Sequence, residues 1–149
     1  MEKLKLINYT DTYYDFLYDV KKNAYIRYVE EIWGWNEKIQ KEMFNKFIKS
    51  EKENIYIIQM DNKNIGFYNY GIKEDGDYDI QNICIIPEYQ GKGIGTKILK
   101  DILEENRDKN IHIQYFKQNP VGNLYKRLGF IPNGETQFHY QMVIKNKRR

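Results

Sequence analysis

The chain has 149 residues, 41% of them hydrophobic and 30% charged, with a formal net charge of +3. That length fits one domain with one core, and that balance excludes a disordered chain. The mild charge makes no case for a nucleic-acid partner, and a single cysteine, Cys84, excludes an intrachain disulfide and a thiolate metal cluster.

With only His112 and His139 as histidines, no metal is expected. The N-terminal MEKLKLINYTD lacks the apolar core of a signal peptide. No apolar run approaches the roughly twenty residues that span a membrane. The expectation is a cytoplasmic protein with no membrane partner. The C-terminal Lys145, Lys147, Arg148 and Arg149 read as a solvated end. A composition rich in Lys, Ile, Asn and Tyr fits an AT-rich bacterial genome.

Lys3 to Ile7 alternates briefly and predicts a first strand. Asp11 or Thr12 can cap a helix that runs to Trp33, with Phe16, Leu17, Val20, Ala24, Ile26, Val29 and Ile32 at helical spacing. Gly34 marks a break. Asn36 then caps a second helix with Ile39, Met43, Phe44, Phe47 and Ile48 on one side. Ile55–Met60 and Ile65–Ile72 predict a hairpin around Asp61-Asn62-Lys63-Asn64. Glu74 to Asp77 forms a second turn, and Tyr78–Ile86 a third middle strand ended by Pro87.

After a glycine-rich stretch, Ile94, Ile98, Leu99, Ile102 and Leu103 make an apolar helical stripe. Ile111–Phe116 alternates as a strand. Asn119-Pro120 opens a short helix through Leu128, closed by Gly129, and Gln137–Ile144 is a last strand. No repeat, low-complexity tract or linker interrupts the chain. The predicted architecture is one α/β (α+β) domain over residues 1–149, a mixed, mostly antiparallel central sheet flanked by helices.

The stretch Pro87-Glu-Tyr-Gln-Gly-Lys-Gly-Ile-Gly95 sits where a strand hands over to a helix. Glycines there let the backbone turn tightly and approach a ligand with no Cβ in the way. A helix start offers unpaired N–H groups and the positive end of its dipole, and such a turn makes an anion-binding concavity. Lys92 adds a charge, and Gln90 and Thr96 add neutral donors, so a phosphate or pyrophosphate fits. A Walker loop would need Gly-Lys followed at once by Ser or Thr, but here Lys92 precedes Gly93. A dinucleotide fingerprint needs G-x-G-x-x-G, but the run here is G-x-G-x-G. A glycine-rich turn with no ligand is the bland alternative.

A second constellation, Asn119-Pro-Val-Gly-Asn-Leu-Tyr125-Lys-Arg-Leu-Gly129-Phe130, bears on that choice. Together the two stretches resemble the GNAT superfamily of N-acetyltransferases. Gln90-Gly91-Lys92-Gly93-Ile94-Gly95 matches the family's Arg/Gln-x-x-Gly-x-Gly/Ala acetyl-CoA loop. Asn119, Tyr125, Gly129 and Phe130 match its later Asn–Tyr–Gly-Phe segment. Ile83-x-Ile85-x-Pro87-Glu88 looks like its central strand. The motifs cover about the last two-fifths of the chain, and the element order fits the rest.

The resemblance implies an acyltransferase that moves acetyl from acetyl-CoA, as co-substrate, to an amine in a ternary complex. Backbone N–H groups of Gln90, Gly91, Lys92, Gly93, Ile94, Gly95 and Thr96 would hold the CoA pyrophosphate. The strand at Ile83, Cys84 and Ile85 would splay from the strand at Ile111–Phe116, with the pantetheine arm pairing to strand backbone. An N–H near Ile85 would polarise the thioester carbonyl, and Asn119 would bond the pantetheine. Tyr125 would be the general acid, since a phenol of pKa about 10 stays protonated at neutral pH. Its bland alternative is a packed aromatic with a satisfied hydroxyl. Some members carry a Glu where this chain has Gln81, which cannot act as a base. Glu30, Glu31, Asp79, Glu88 and His139 are then candidates of equal standing, with water or the substrate's own equilibrium as alternatives. Cys84 reads as a small buried hydrophobe, not a nucleophile.

The family's acceptor pocket lies beside Glu30-Glu-Ile-Trp33-Gly-Trp35-Asn-Glu37. Two indoles and three carboxylates can bracket a cationic amine, with Trp33, Trp35 and Glu30 as the binding candidates. A helix-joining corner is the competing reading. The leading expectation is an N-acetyltransferase for a small-molecule or peptide amine. A non-catalytic acyl-CoA-binding domain on the same fold and a nucleotide phosphate-loop protein are the rivals. Many family members form homodimers, but no stretch here marks an interface.

Overall fold

The computed structural model describes residues 3–146. In chain order it forms β1 (Leu4–Asn8), α1 (Tyr14–Trp33), α2 (Glu37–Glu51), β2 (Ile55–Met60), β3 (Lys63–Ile72) and β4 (Tyr78–Ile85). There follow α3 (Ile94–Glu105), β5 (Ile111–Phe116), α4 (Gly122–Arg127), β6 (Ile131–Glu135) and β7 (His139–Ile144). Hydrogen bonds set the strand order β1-β2-β3-β4-β5-β7-β6. The β4–β5 pair is parallel, and β1–β2, β2–β3, β5–β7 and β6–β7 are antiparallel. This is the α+β class expected, with a seven-stranded, mostly antiparallel sheet. Lys147, Arg148 and Arg149 of the basic C-terminal end lie outside the described residues.

The chain divides after Asn69, Gln81 and Lys92 into two compact units. The first holds β1, α1, α2, β2, β3 as far as Asn69, and β4 from Asn82 onward. Its core joins Leu17 and Val20 of α1, Phe44 and Ile48 of α2, Ile55 and Ile57 of β2, Phe67 of β3 and Cys84 of β4. Neither Asp11 nor Thr12 caps α1. A 3-10 turn over Asp11–Tyr13 takes their place, closed by Tyr13 N–H donating to Thr10 O at 2.9 Å, and α1 starts without a side-chain cap. Gly34 ends α1 with φ +80°, and Asn36 caps α2 by accepting from Ile39 N–H at 3.0 Å, as the sequence predicts. The buried face of α2 is narrower than predicted: Phe44 and Ile48 are buried, but Ile39 and Met43 face outward. The β2–β3 turn is tighter too. Asp61 and Asn62 both adopt left-handed backbone, a two-residue hairpin that Asp and Asn tolerate, and β3 begins at Lys63.

The second unit holds Tyr70–Gln81 and the chain from Gly93 onward. β5 pairs with β7 over six positions, Ile111↔Ile144 to Phe116↔His139. It pairs with β4 over three: Tyr78↔Ile111, Asp79↔His112 and Ile80↔Ile113. α3 buries Ile94, Ile98, Leu99 and Ile102, the predicted stripe. Leu103 is half-buried beside it. α4 starts later than predicted. Asn119 Oδ1 accepts from Val121 N–H at 3.1 Å, so Asn119 and Pro120 form the turn that leads into the helix rather than its first residues. Gly129, with φ +109°, closes it. β6, which the sequence does not predict, pairs with β7.

Candidate active site

The glycine loop begins in the first unit. Past Ile85 the chain makes a 3-10 turn over Pro87–Tyr89. Gln90 is held at both ends: its N–H donates to Pro87 O at 3.1 Å, and its side-chain Nε2 donates to Ile85 O at 2.7 Å. The amide expected to face a ligand therefore braces the loop against the end of β4. Gly91 follows at φ +73° and is exposed, as is Lys92. Lys92 Nζ stands 6.0 Å from the Tyr89 ring centroid.

In the second unit Gly93 takes φ +79° and precedes α3 with no side-chain cap. Left-handed backbone costs an L-residue about 1–2 kcal/mol, so both positions favour glycine. Lys97 N–H closes the first helical bond, onto Gly93 O at 3.0 Å. The N–H groups of Ile94, Gly95 and Thr96 thus have no partner within the helix. No carboxylate occupies the first turn of α3. The dipole end and three amide donors make this segment fit for an anion.

Among the strand residues, Cys84 is buried, and its thiol is pushed up to about 11 by desolvation, against a hydrogen bond with Tyr25 and the Lys21 charge. It stays a neutral thiol at physiological pH. Ile83 and Ile85 are half-buried. Ile86 N–H donates to Ile65 O at 2.8 Å.

In the second unit, Tyr125 of α4 is buried at 7% exposure. Its ring meets Tyr115 edge-on at 5.6 Å and lies 5.9 Å from Phe130. Asn119 keeps its Nδ2 donor after Oδ1 is taken by Val121.

Around the α1–α2 corner, the structure joins Trp35 to Glu37 rather than to Glu30. Trp35 Nε1 donates to Glu37 Oε2 at 2.7 Å, Lys22 Nζ donates to the same oxygen at 2.9 Å, and Tyr18 OH donates to Oε1 at 2.6 Å. These donors, Trp35 foremost, hold the Glu37 carboxyl down to about 2. Lys22 also stands 5.6 Å from the Trp35 ring, where an acceptor cation was expected. Trp33 is 57% exposed, and Glu30 is exposed with its carbonyl accepting from Gly34 N–H.

Among the candidate bases, burial pushes the half-buried Asp79 carboxyl up, and Lys73 and His112 pull it back. Burial pushes the His139 imidazole down. Glu30, Glu31 and Glu88 are exposed. Asp79 and Gln81 alternate with Ile80, so they share one face of β4.

Sequence reasoning missed a polar chain inside the first unit. Asn69, fully buried, accepts from Asn82 Nδ2 at 2.7 Å, and Asn82 Oδ1 accepts from Tyr25 OH at 2.7 Å. The available signal was an asparagine in each of two neighbouring strands, Asn69 in β3 and Asn82 in β4, where Asn is disfavoured. Among the described residues, no three His, Cys, Asp or Glu groups come together as metal ligands, and no helix is long and apolar enough to cross a membrane.

An acetyltransferase (GNAT) domain model matches residues 51–132, more than half of the chain. The spermine/spermidine N(1)-acetyltransferase of Bacillus subtilis strain 168 is 34% identical over 92 residues, which cover 54% of this chain and 60% of that protein. The putative [ribosomal protein bS18]-alanine N-acetyltransferase of the same strain is 26% identical over 101 residues, covering 65% and 66%. The first match thus spans about 60% of its relative's length. The crystal structure of PaiA N-acetyltransferase from Thermoplasma acidophilum, in complex with coenzyme A, superposes with a TM-score of 0.71 at 17% identity, covering 96% of this chain and 99% of that one. That last likeness is one of fold. The matched domain contains both the strand that ends at Ile85 and the glycine loop behind it, and the chain belongs to the GNAT acetyltransferase family.

Proposed function

We propose that the protein is an N-acetyltransferase that moves the acetyl group of acetyl-CoA to a primary amine by direct attack in a ternary complex. The observation that carries this reading is the pair of left-handed glycines, Gly91 and Gly93, before an uncapped, carboxylate-free helix start. A pyrophosphate is the ligand such a turn suits. Lys92 adds one cation, and Gln90 holds the loop in place from Ile85 O.

In the proposed reaction the acceptor nitrogen attacks the thioester carbonyl carbon. A backbone N–H near Ile85 stabilises the oxyanion, a role worth about 3–4 kcal/mol when such a donor is removed from an acyl-transfer site. The C–S bond then breaks, and the Tyr125 phenol gives its proton to the departing thiolate. Asn119 Nδ2 donates to a pantetheine carbonyl. Its Oδ1 is already engaged, which fixes which end of the amide faces outward. The attacking amine must first lose a proton. Of the five candidate groups, Asp79 has the environment a base needs, because burial raises its hold on a proton. It also shares a strand face with Gln81, so it is the first to test.

The relatives direct the choice of acceptor. A polyamine is the first class to test, because the Bacillus subtilis relative carries spermine and spermidine in its name. A peptide N-terminus is the second. The test is thiol release from acetyl-CoA with spermine, spermidine and an alanine-terminated peptide. Turnover is expected with at least one, falling about 100-fold in Tyr125→Phe with the acetyl-CoA KM unchanged. CoA binding without turnover on any amine would refute the enzyme reading and leave a binding domain.

A further inference from the structure

The second unit carries a cavity that the proposed reaction does not use. It has a volume of about 320 Å³, at the low end for small-ligand sites, which run from about 300 to 1,000 Å³. Lys100, Arg107, Lys109, Arg127 and Lys145 line it, with Glu104 as the one acidic group. Leu103, Ile111, Leu128 and Ile144 form its apolar part.

Two features separate this cavity from an ordinary charged surface. First, like charges gathered round one concavity raise the local potential and attract an anion. Arg107 is paired with Glu104 at 3.5 Å, and Lys109 with Asp108 at 3.5 Å. Lys100, Arg127 and Lys145 have no carboxylate partner among the described residues. Second, three separate segments supply these three cations: α3, the end of α4 and the chain just after β7. Arg127 serves the C-terminal end of α4 as a dipole partner, but Lys100 lies mid-helix and Lys145 lies on no helix, so that role does not explain them.

The cavity is also remote from the start of α3. Lys100 stands six residues and Glu104 ten residues beyond Ile94, roughly 9 and 15 Å along the helix axis. The pyrophosphate proposed above would sit at the other end of α3.

We infer that this cavity is a second anion site, one that takes a phosphorylated small molecule of the nucleotide class. The phosphates would meet Lys100, Arg127 and Lys145, and the half-buried Leu103 and Leu128, above the buried Ile111 and Ile144, would meet the base. Arginine offers phosphate a two-pronged contact and lysine a point charge. Glu104 at the rim disfavours carboxylate-rich ligands no less than phosphates, so selectivity comes from the number of cations and the apolar patch.

The probe is ADP, titrated calorimetrically into the protein saturated with CoA, with inorganic pyrophosphate as a second arm. ADP is expected to bind beside CoA. Lys100→Glu and Arg127→Glu should each weaken it about tenfold or more, as loss of a charge-assisted phosphate contact does. Lys100→Gln and Arg127→Gln guard against a charge-reversed variant that fails to fold, and should weaken ADP in the same direction. Acetyl-CoA affinity should change less than about twofold in all four, because the glycine loop is untouched. Pyrophosphate weaker than ADP supports a role for the apolar patch. Pyrophosphate equal to ADP overturns the nucleotide class and leaves a bare phosphate site. No ADP heat at millimolar concentration, ADP displaced completely by CoA, or ADP affinity indifferent to the substitutions overturns the site. If acetyl-CoA fails to bind while ADP binds and Lys100→Gln and Arg127→Gln weaken it, the proposed activity falls and this site stands.

Discussion

Replacing Gly95 with alanine separates the two reasons a glycine can stand at the start of α3. Gly95 lies in the first turn of the helix, outside the left-handed region, and a methyl group there would have no heavy atom within 4 Å. Nothing in the free protein requires glycine. Helical glycine costs about 0.5–1 kcal/mol relative to alanine, so Gly95→Ala should stabilise the fold by up to that amount. For a chain of this size that is a rise in Tm of about 1–4 °C. The ligand tells the opposite story. A pyrophosphate drawn to the N–H groups of Ile94, Gly95 and Thr96 would meet the new methyl. Losing one charge-assisted contact should weaken CoA about tenfold, or about 1.4 kcal/mol. Thermal melting and calorimetric CoA titration on the same preparation read both quantities. A variant that melts higher and binds CoA with unchanged affinity would refute the argument that this glycine serves a ligand.

Other substitutions test the remaining parts. Trp33→Ala removes an exposed indole, so stability should hold while the acceptor KM rises; an unchanged KM in steady-state assays removes Trp33 from the acceptor site. Asn69→Leu leaves the half-buried Asn82 Nδ2 without its acceptor and should cost about 1–3 kcal/mol in urea unfolding. Glu37 is held down to about 2, so its stabilisation is present above its ordinary value of 4.5 and is lost as pH falls through about 2. Glu37→Gln should therefore melt below the parent at pH 7 and match it near pH 2. Asp79 titrates in the opposite sense. Its raised pKa means the folded state resists ionisation, so stability falls as pH rises through the ordinary Asp range. Asp79→Asn should remove that fall in melts recorded across pH 3–7, and should lower kcat if Asp79 is the base.

Much of the fold was legible because period and punctuation agreed. The apolar run at Ile55–Met60 and the alternating run at Ile111–Phe116 appear as strands with those same bounds, and Asn36 caps α2 through its own side chain. β6 was not legible. Its sequence Ile-Pro-Asn-Gly-Glu carries three residues that strands disfavour, Pro132, Asn133 and Gly134, and all five positions are exposed, so no alternation could mark it. Pairing with β7, not its own pattern, makes it a strand. At the site, the glycine loop could be read because left-handed backbone and a helix start leave a signature in residue type. The ring of Lys100, Arg127 and Lys145 could not, since its members lie far apart in the chain and only the packing of α3, α4 and the end of β7 brings them to one cavity.

The brace from Gln90 to Ile85 O has a consequence for behaviour in salt. Because that side chain is neutral and already engaged, Lys92 is the one full charge the loop offers an anion. Mobile ions screen full charges over a Debye length of about 10 Å at 0.1 M, but they weaken short amide hydrogen bonds far less. A pyrophosphate held there would therefore lose little affinity as potassium chloride is raised. An anion in the five-cation cavity would lose much more. A salt series would thus give two slopes from one polypeptide, shallow at one end of α3 and steep at the other.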